Sequence, residues 1–443
     1  MQAHKIFLEK FSREHLEYLY EEKISNSPAI GSDGTSHKMF SEQLLNELDI
    51  ILRKIFSEEY QFTRYKEKLI SKGPFKPPRQ ISIPTIRDRL TLRALTEILN
   101  QVFIDSKIRP PHEYIKSIQH KLRTAPSDSS FIRIDIQNYY PSIPHDILMS
   151  RVRSRIRKKE LVSLVIRAIS TPTGQNSSNT LGVPQGLSIS SILSSIYLAL
   201  ADERFSKLGF YLRYVDDILL ICPTSEAESL LKKITSELKR KYKLTCHELN
   251  SGTPGKTHIS SIHQGVEYLG FEISSETTKI RTSSYKKIFT TLANLFSSYR
   301  HNNKSEAKLL WQLNLKITGC LYSGKRYGWL FFFAQTEDKS QISRLDNFVK
   351  QQLLKHDLEV SPQDLKRFIK AYHEIRFNFD ESSYFPRFDD YTIEEMIELI
   401  SLYDNADKET ITEKSPEEIR TRFFKIIDQE AHELDQDLLE TTS

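Results

Sequence analysis

Two adjacent carboxylates, Asp216 and Asp217, interrupt the apolar run that leads from Tyr211-Leu212-Arg213-Tyr214-Val215 into Ile218-Leu219-Leu220-Ile221. An unpaired carboxylate taken out of water costs several kcal/mol even after the surroundings relax. Two such neighbours on a buried hairpin are therefore compatible with folding mainly when a divalent cation neutralises them. The bland alternative is a solvated turn joining two strands.

A third carboxylate stands about eighty residues upstream. Phe131-Ile132-Arg133-Ile134-Asp135-Ile136 alternates in the period-two pattern of a half-buried strand and ends at Asn138-Tyr139-Tyr140-Pro141, so Asp135 is a strand carboxylate with a free face. Between it and the Asp pair lies the Gly/Pro turn Leu181-Gly182-Val183-Pro184-Gln185-Gly186-Leu187, followed by a Ser-rich apolar stretch to Leu200. After the pair come Gly255-Lys256-Thr257 and Glu267-Tyr268-Leu269-Gly270-Phe271. In this order and spacing the blocks resemble the palm of a reverse transcriptase. Upstream, Ala29-Ile30-Gly31-Ser32-Asp33-Gly34 resembles the N-terminal motif of group II intron and related bacterial enzymes. Arg79-Gln80-Ile81-Ser82-Ile83-Pro84 with Arg87-Asp88-Arg89 is similar to their fingers motif. The resemblance covers roughly residues 25 to 275.

The resemblance implies an RNA-directed DNA polymerase working through two Mg²⁺ ions, with Mn²⁺ as a substitute. Phosphodiester formation needs an activated primer hydroxyl and a stabilised pyrophosphate, which two hard cations supply together. Asp135 and Asp216 would bridge the metals, Asp217 would contribute more weakly, and the backbone carbonyl of Ile136 would be a further ligand. Tyr140 would be a steric gate beneath the sugar, selecting dNTPs, with a core tyrosine as the alternative. Gln185 and Gly186 would lie near the nascent base pair, the glycine because a backbone approaches closely. Arg79 would grip the triphosphate, with Lys76 or Lys72 as a second cation. For Arg87 and Arg89, salt bridging within the fingers is an equal alternative. Lys256 would protonate the leaving pyrophosphate or stand as a plain surface lysine. Tyr268, Leu269 and Gly270 would form the primer grip. Lys286, Lys287, Lys325 and Arg326, with Lys308, Lys316, Trp311 and Trp329, would give the thumb a positive, aromatic face for a heteroduplex.

The expected fold is α+β: a right-hand polymerase whose fingers and antiparallel palm are followed by an all-helical thumb and C-terminal extension. The division is an N-terminal helix and fingers over 1–130, palm over 131–280, thumb over 281–375 and an acidic helical extension over 376–443. Residues 380–443 hold 19 Asp/Glu against 6 Lys/Arg, a net of −13, which leaves +18 on the remainder of a chain whose total is +5. A basic body is the footprint of phosphate binding. The tail reads as helix over Thr392 to Asp404 and Pro416 to Leu439. It is either a folded cap or a tethered polyanion competing for the basic groove.

Cys222, Cys246 and Cys320 show no paired or zinc-type spacing, and no apolar run approaches membrane-spanning length, so a cytoplasmic protein with no membrane partner is expected. The expected partners are dNTPs, the cDNA product and an RNA template. The C-terminal block resembles antiphage-defence reverse transcriptases, which use a dedicated noncoding RNA. Retron or group II intron enzymes are the alternative, as is a catalytically silent RNA-binding palm, and a second copy or a companion defence protein is left open.

Overall fold

The structure is a computed structural model that describes residues 2–25, 29–71, 77–175, 178–249, 256–301 and 305–442. Lys72, Lys76 and Gly255, three of the residues singled out above, lie outside the described residues. The chain divides into two compact units. The first comprises 1–109 and 128–261, the second 110–127 and 262–443.

The first unit is built on a four-stranded antiparallel sheet flanked by helices. A hairpin of β1 (Lys66–Ile70) and β2 (Arg79–Ile83) precedes it, and its own strands are β3 (Ser129–Asp135), β4 (Phe210–Tyr214), β5 (Asp217–Pro223) and β6 (His258–Ser261), in the order β4-β5-β3-β6. Alternation decides which face is covered. Ile132, Ile134 and Ile136 join Ile218, Leu220 and Cys222 in one buried cluster with Leu148, Val152, Ile192, Ile196, Ile234 and Leu238 from three helices. Those helices are His145–Arg155, Ser190–Phe205 and Ala227–Tyr242. On β3 the residues one position out of phase are Phe131, Arg133 and Asp135, so the carboxylate and the arginine project from the opposite face.

The fingers motif folds as intramolecular architecture. Thr85 caps the helix Ile86–Val102 by accepting from the Asp88 amide. Asp88 is buried and accepts from the Tyr60 hydroxyl at 2.8 Å and the Thr63 amide at 2.9 Å. Arg87 pairs with Glu47, and Arg89 donates to the Ala29 carbonyl. Arg87 thus makes the salt bridge of the structural alternative, whereas Arg89 binds a backbone carbonyl.

The second unit holds a three-stranded sheet of β7 (Val266–Tyr268), β8 (Phe271–Ile273) and β9 (Thr278–Ile280), and is otherwise helical apart from the short hairpin of β10 (Cys320–Tyr322) and β11 (Lys325–Tyr327). The helices expected from periodicity appear as Thr282–His301, Glu306–Thr318, Lys339–Lys355, Phe368–Phe377, Ile393–Asp404 and Pro416–Thr442. The acidic segment is a packed part of this unit. Met396, Ile400, Ile419, Phe423, Ile426 and Ile427 are buried in one cluster with Leu315 and Cys320.

The acidic helix brings a carboxyl into that interior. Glu430 is 2% exposed and accepts from the Gln312 amide at 2.7 Å. Burial pushes its carboxyl above the ordinary range. A carboxyl raised in the fold contributes most when protonated, so its contribution is lost as pH rises from the unfolded value, about 4.3, through the folded one. Glu430→Gln keeps an acceptor for Gln312 and removes that loss. The variant is expected to melt higher than the parent at pH 8 and indistinguishably at pH 4, read by thermal unfolding across pH.

Candidate active site

The three carboxylates meet where β3, β4 and β5 end. β3 and β5 pair antiparallel with Asp135 directly opposite Asp217, and β4 pairs with β5 through Tyr214 and Asp217. Only Val215 and Asp216 connect β4 to β5. Val215 has φ +56°, an outlier for a β-branched residue at a position where such tight hairpins favour glycine. Strain of that kind costs on the order of 1–3 kcal/mol and persists only where neighbours over-determine it. Here they do. The Arg213 guanidinium donates to the Val215 carbonyl at 2.8 Å and to both Asp202 oxygens at 2.7 and 2.5 Å, while the Ile136 amide donates to the Asp216 carbonyl at 3.1 Å.

Each carboxylate has a different environment. Asp135 faces the Lys256 ammonium, Nζ at 3.0 Å, and the His247 ring, Nε2 at 3.2 Å from the same oxygen. His247 is fixed by its own amide, which donates to the Asp135 carbonyl at 2.9 Å, beside a Gln137 amide bound to the Thr245 carbonyl at 2.8 Å. Asp216 is raised above the ordinary carboxylate range, first by burial and then by the negative charge of Asp135. Asp217 is pushed up to about 6 by burial, against the pull of Arg133, whose Nε and Nη2 reach its two oxygens at 2.9 and 2.7 Å.

The structure separates the two tyrosines. Tyr139 is 2% exposed, and its hydroxyl donates to the Ser194 carbonyl at 2.5 Å, which makes it a core residue. Tyr140, on the turn Tyr140–Ser142, is half-buried and lies within the electrostatic reach of Asp216 and Arg79. Arg79, at the exposed start of β2, also lowers Asp216. The Gln185 carbonyl accepts from the Ser82 amide at 2.7 Å. Gly186 has φ +100°, and a Cβ there would lie 2.6 Å from Ile81 Cγ2 and 2.8 Å from the Ser82 carbonyl. The backbone that demands this glycine is the chain's own β2.

Other expectations resolve differently. Tyr268, expected in the primer-grip hairpin, is 1% exposed with its ring in the core of the second unit. Leu269 and Gly270, at φ +47° and +81°, form the two-residue turn between β7 and β8. Lys286 is exposed and Lys287 half-buried on the helix Thr282–His301. Lys325 and Arg326 lie on β11, and the Arg326 guanidinium stacks 3.9 Å from the Phe379 ring. Lys308 donates to the Tyr403 carbonyl at 3.0 Å, Lys316 pairs with Asp437 at 2.5 Å, and Trp329 is buried. The two lysines thus tie to the acidic helices, while Trp329 packs against Phe333 and Phe368. Sequence reasoning assigned no role to Arg133, Asp202, Arg213 or His247. The alternation that placed Asp135 on a free face also places Arg133 there, whereas Asp202 and His247 carry no local signal.

The arrangement suits cation binding by few protein ligands. Asp135, Asp216 and Asp217 converge at the strand ends, Asp135 facing Lys256 and His247, Asp216 desolvated, and Asp217 held by Arg133. A hard divalent cation relieves that situation while keeping positions for phosphate and water.

An antiparallel sheet carrying such carboxylates at a strained hairpin tip, with a basic hairpin and an aromatic residue within electrostatic reach, is the arrangement expected of a polymerase palm. Residues 70–273 match the family model described as reverse transcriptase (RNA-dependent DNA polymerase), so the chain carries a reverse transcriptase domain. An uncharacterised 91 kDa protein in the cob intron of Schizosaccharomyces pombe is 25% identical over 42% of this chain and 24% of its own length. The group II intron-encoded protein LtrA of Lactococcus lactis is 22% identical over 87% of this chain and 65% of its own. The chain thus spans less than two thirds of either relative. A solved telomerase from Candida albicans, in complex with a fragment of telomeric RNA, aligns with TM-score 0.43 at 14% identity, covering 89% of this chain and 67% of that one.

Gly186→Ala tests the hairpin contact. The added methyl meets Ile81 and Ser82 in a backbone region L residues avoid, so a loss of about 1–3 kcal/mol is expected by denaturant unfolding. Faster proteolysis of the β1–β2 hairpin should accompany it.

Proposed function

We propose that the protein is an RNA-directed DNA polymerase that extends a primer with dNTPs using two Mg²⁺ ions. The observation that carries this reading is the strand register that sets Asp135 opposite Asp217 and the Ile136 amide on the Asp216 carbonyl, so that Asp135 and Asp216 converge in a partly desolvated corner within electrostatic reach of Tyr140 and Arg79. Asp135 and Asp216, with the Ile136 carbonyl, are the groups that would hold the ions. Such ions supply an activated hydroxyl and stabilise the departing pyrophosphate. The chain's own residues do the rest. Arg79 suits bidentate phosphate contact, Tyr140 offers a ring edge against a 2′-hydroxyl, and Lys256, beside Asp135, is a proton donor for a leaving oxyanion.

The template reading goes one step finer. The resemblance of the C-terminal block to antiphage-defence reverse transcriptases favours a dedicated noncoding RNA as template. The alternative is an intron-type enzyme, favoured by the likeness to LtrA across 87% of the chain. Sequencing the RNA that co-purifies separates them: a single structured noncoding species supports the first, and intron RNA the second.

Purified protein is expected to incorporate dNTPs on an RNA template only with a divalent cation. Asp135→Asn and Asp216→Asn should each abolish synthesis while leaving the melting temperature within a few degrees of the parent. Tyr140→Val should lower the ratio of dNTP to NTP kcat/KM by about tenfold or more, since a lost steric clash is worth roughly 1–3 kcal/mol. Polymerisation by folded Asp216→Asn protein would refute the reading.

A further inference from the structure

The second aspartate of the hairpin does not share the environment of its neighbours. Asp135 and Asp217 are directly opposed across β3 and β5, a position where like charges destabilise a sheet. Arg133 faces Leu219 in the same register, so on the shared face it is the diagonal neighbour of Asp217. Its guanidinium forms a two-point contact with both Asp217 oxygens, at 2.9 and 2.7 Å, and the side chains are only 12% and 15% exposed. A carboxylate whose two oxygens are held in this fork presents its charge to the arginine, since planar bidentate pairs fix geometry as well as energy. Asp135 and Asp216 are placed otherwise. One faces Lys256 and His247, and the other sits on the connecting turn, pinned through its backbone to Ile136.

We propose that Asp217 is a positioning residue: it clamps Arg133, and the clamp holds the ends of β3 and β5 in register so that Asp135 and Asp216 form the anionic pair of the site. The clamp also sets the charge of the corner. Three carboxylates against the Arg133 guanidinium and the Lys256 ammonium leave one net negative charge, His247 aside, and removing either clamp partner alone changes that figure. Arg133→Gln takes the guanidinium away from Asp217 and leaves more negative charge. Asp217→Asn takes the carboxylate away from a largely buried guanidinium, the costly half of a broken ion pair. The double variant Arg133→Gln/Asp217→Asn restores the charge and allows an amide-to-amide hydrogen bond across the same strands.

This inference rests on the polymerase reading, and Mn²⁺ binding gives a readout that does not need turnover. Mn²⁺ affinity would be measured by electron paramagnetic resonance alongside kcat and KM for dNTP incorporation, for the parent, the two single variants, Arg133→Lys, the double variant and Asp216→Asn. Arg133→Gln is expected to lower kcat by about 10- to 100-fold, the effect of misplacing reacting groups by an ångström or less, without weakening Mn²⁺. Arg133→Lys, which keeps the charge and loses the fork, should show the same pattern. The double variant should bind Mn²⁺ within about twofold of the parent and recover part of the kcat lost in either single change, the coupling expected of a contacting pair. Asp216→Asn should lose Mn²⁺ by tenfold or more, as expected for removing a ligand. If the double variant loses Mn²⁺ as Asp216→Asn does, Asp217 is a ligand and the clamp is wrong. A parent that binds no Mn²⁺ overturns both the polymerase reading and the clamp. A parent that binds Mn²⁺ and incorporates dNTPs while the double variant loses the metal overturns the clamp alone.

Discussion

Like-charge crowding at the end of β3 and β5 is the constraint around which the first unit is arranged. Asp135, Asp216 and Asp217 are brought together by strand register, and burial raises both members of the hairpin pair. No sheet holds such a corner without compensation. Arg133 supplies it from β3 itself, Lys256 from the residues leading into β6, and His247 from the chain that runs alongside Ile136. The covered face, with Ile132, Ile134, Ile218 and Leu220 against three helices, provides the burial that keeps the strands in place while their other face carries charge.

The strained Val215 belongs to the same logic. A glycine would relieve the positive φ but would leave the turn soft, whereas valine is held by a partly buried hydrophobic contact and by Arg213. Arg213 is itself fixed by Asp202, which also accepts from the Tyr211 hydroxyl at 2.7 Å. The turn that carries Asp216 is thus anchored by a chain of hydrogen bonds running into the helix Ser190–Phe205. Rigidity at this point matters because a displaced carboxylate loses catalytic geometry faster than it loses charge.

Much of this was legible before the fold. Period-two alternation over residues 131–136 identified β3 and the exposed face of Asp135, and helical periodicity located the long helices after residue 282. The limits were physical. Alternation reports which face a residue occupies, not what crosses from another strand, so Arg133 was visible as a position while its bond to Asp217 was not. His247 and Asp202 act through tertiary contacts with no spacing to announce them. Gly186 was read as making room for a close backbone, and that backbone proves to be the chain's own β2. Tyr268 sits in a strand of three residues, too short for the two faces to be told apart by pattern, and its ring is core.

The basic stripe of the second unit shows a different limit. On an amphipathic helix a lysine beside an aromatic residue reads equally as a nucleic-acid contact or as a partner for another helix. The acidic segment decides between these for Lys308 and Lys316. Tyr403 takes Lys308 through its carbonyl and its ring, the latter at 3.5 Å, and Asp437 takes Lys316. The negative charge concentrated in residues 380–443 therefore has a structural role within its own unit, where Phe423, Ile426 and Ile427 supply the buried surface and the Lys316–Asp437 and Arg422–Asp404 pairs link helices. A tethered polyanion needs to be free to compete for a groove. Once its apolar stripe is buried in this way, displacing it exposes that whole stripe to water, a cost that electrostatic attraction between RNA and the lysines beneath must exceed before the tail can act as a competitor.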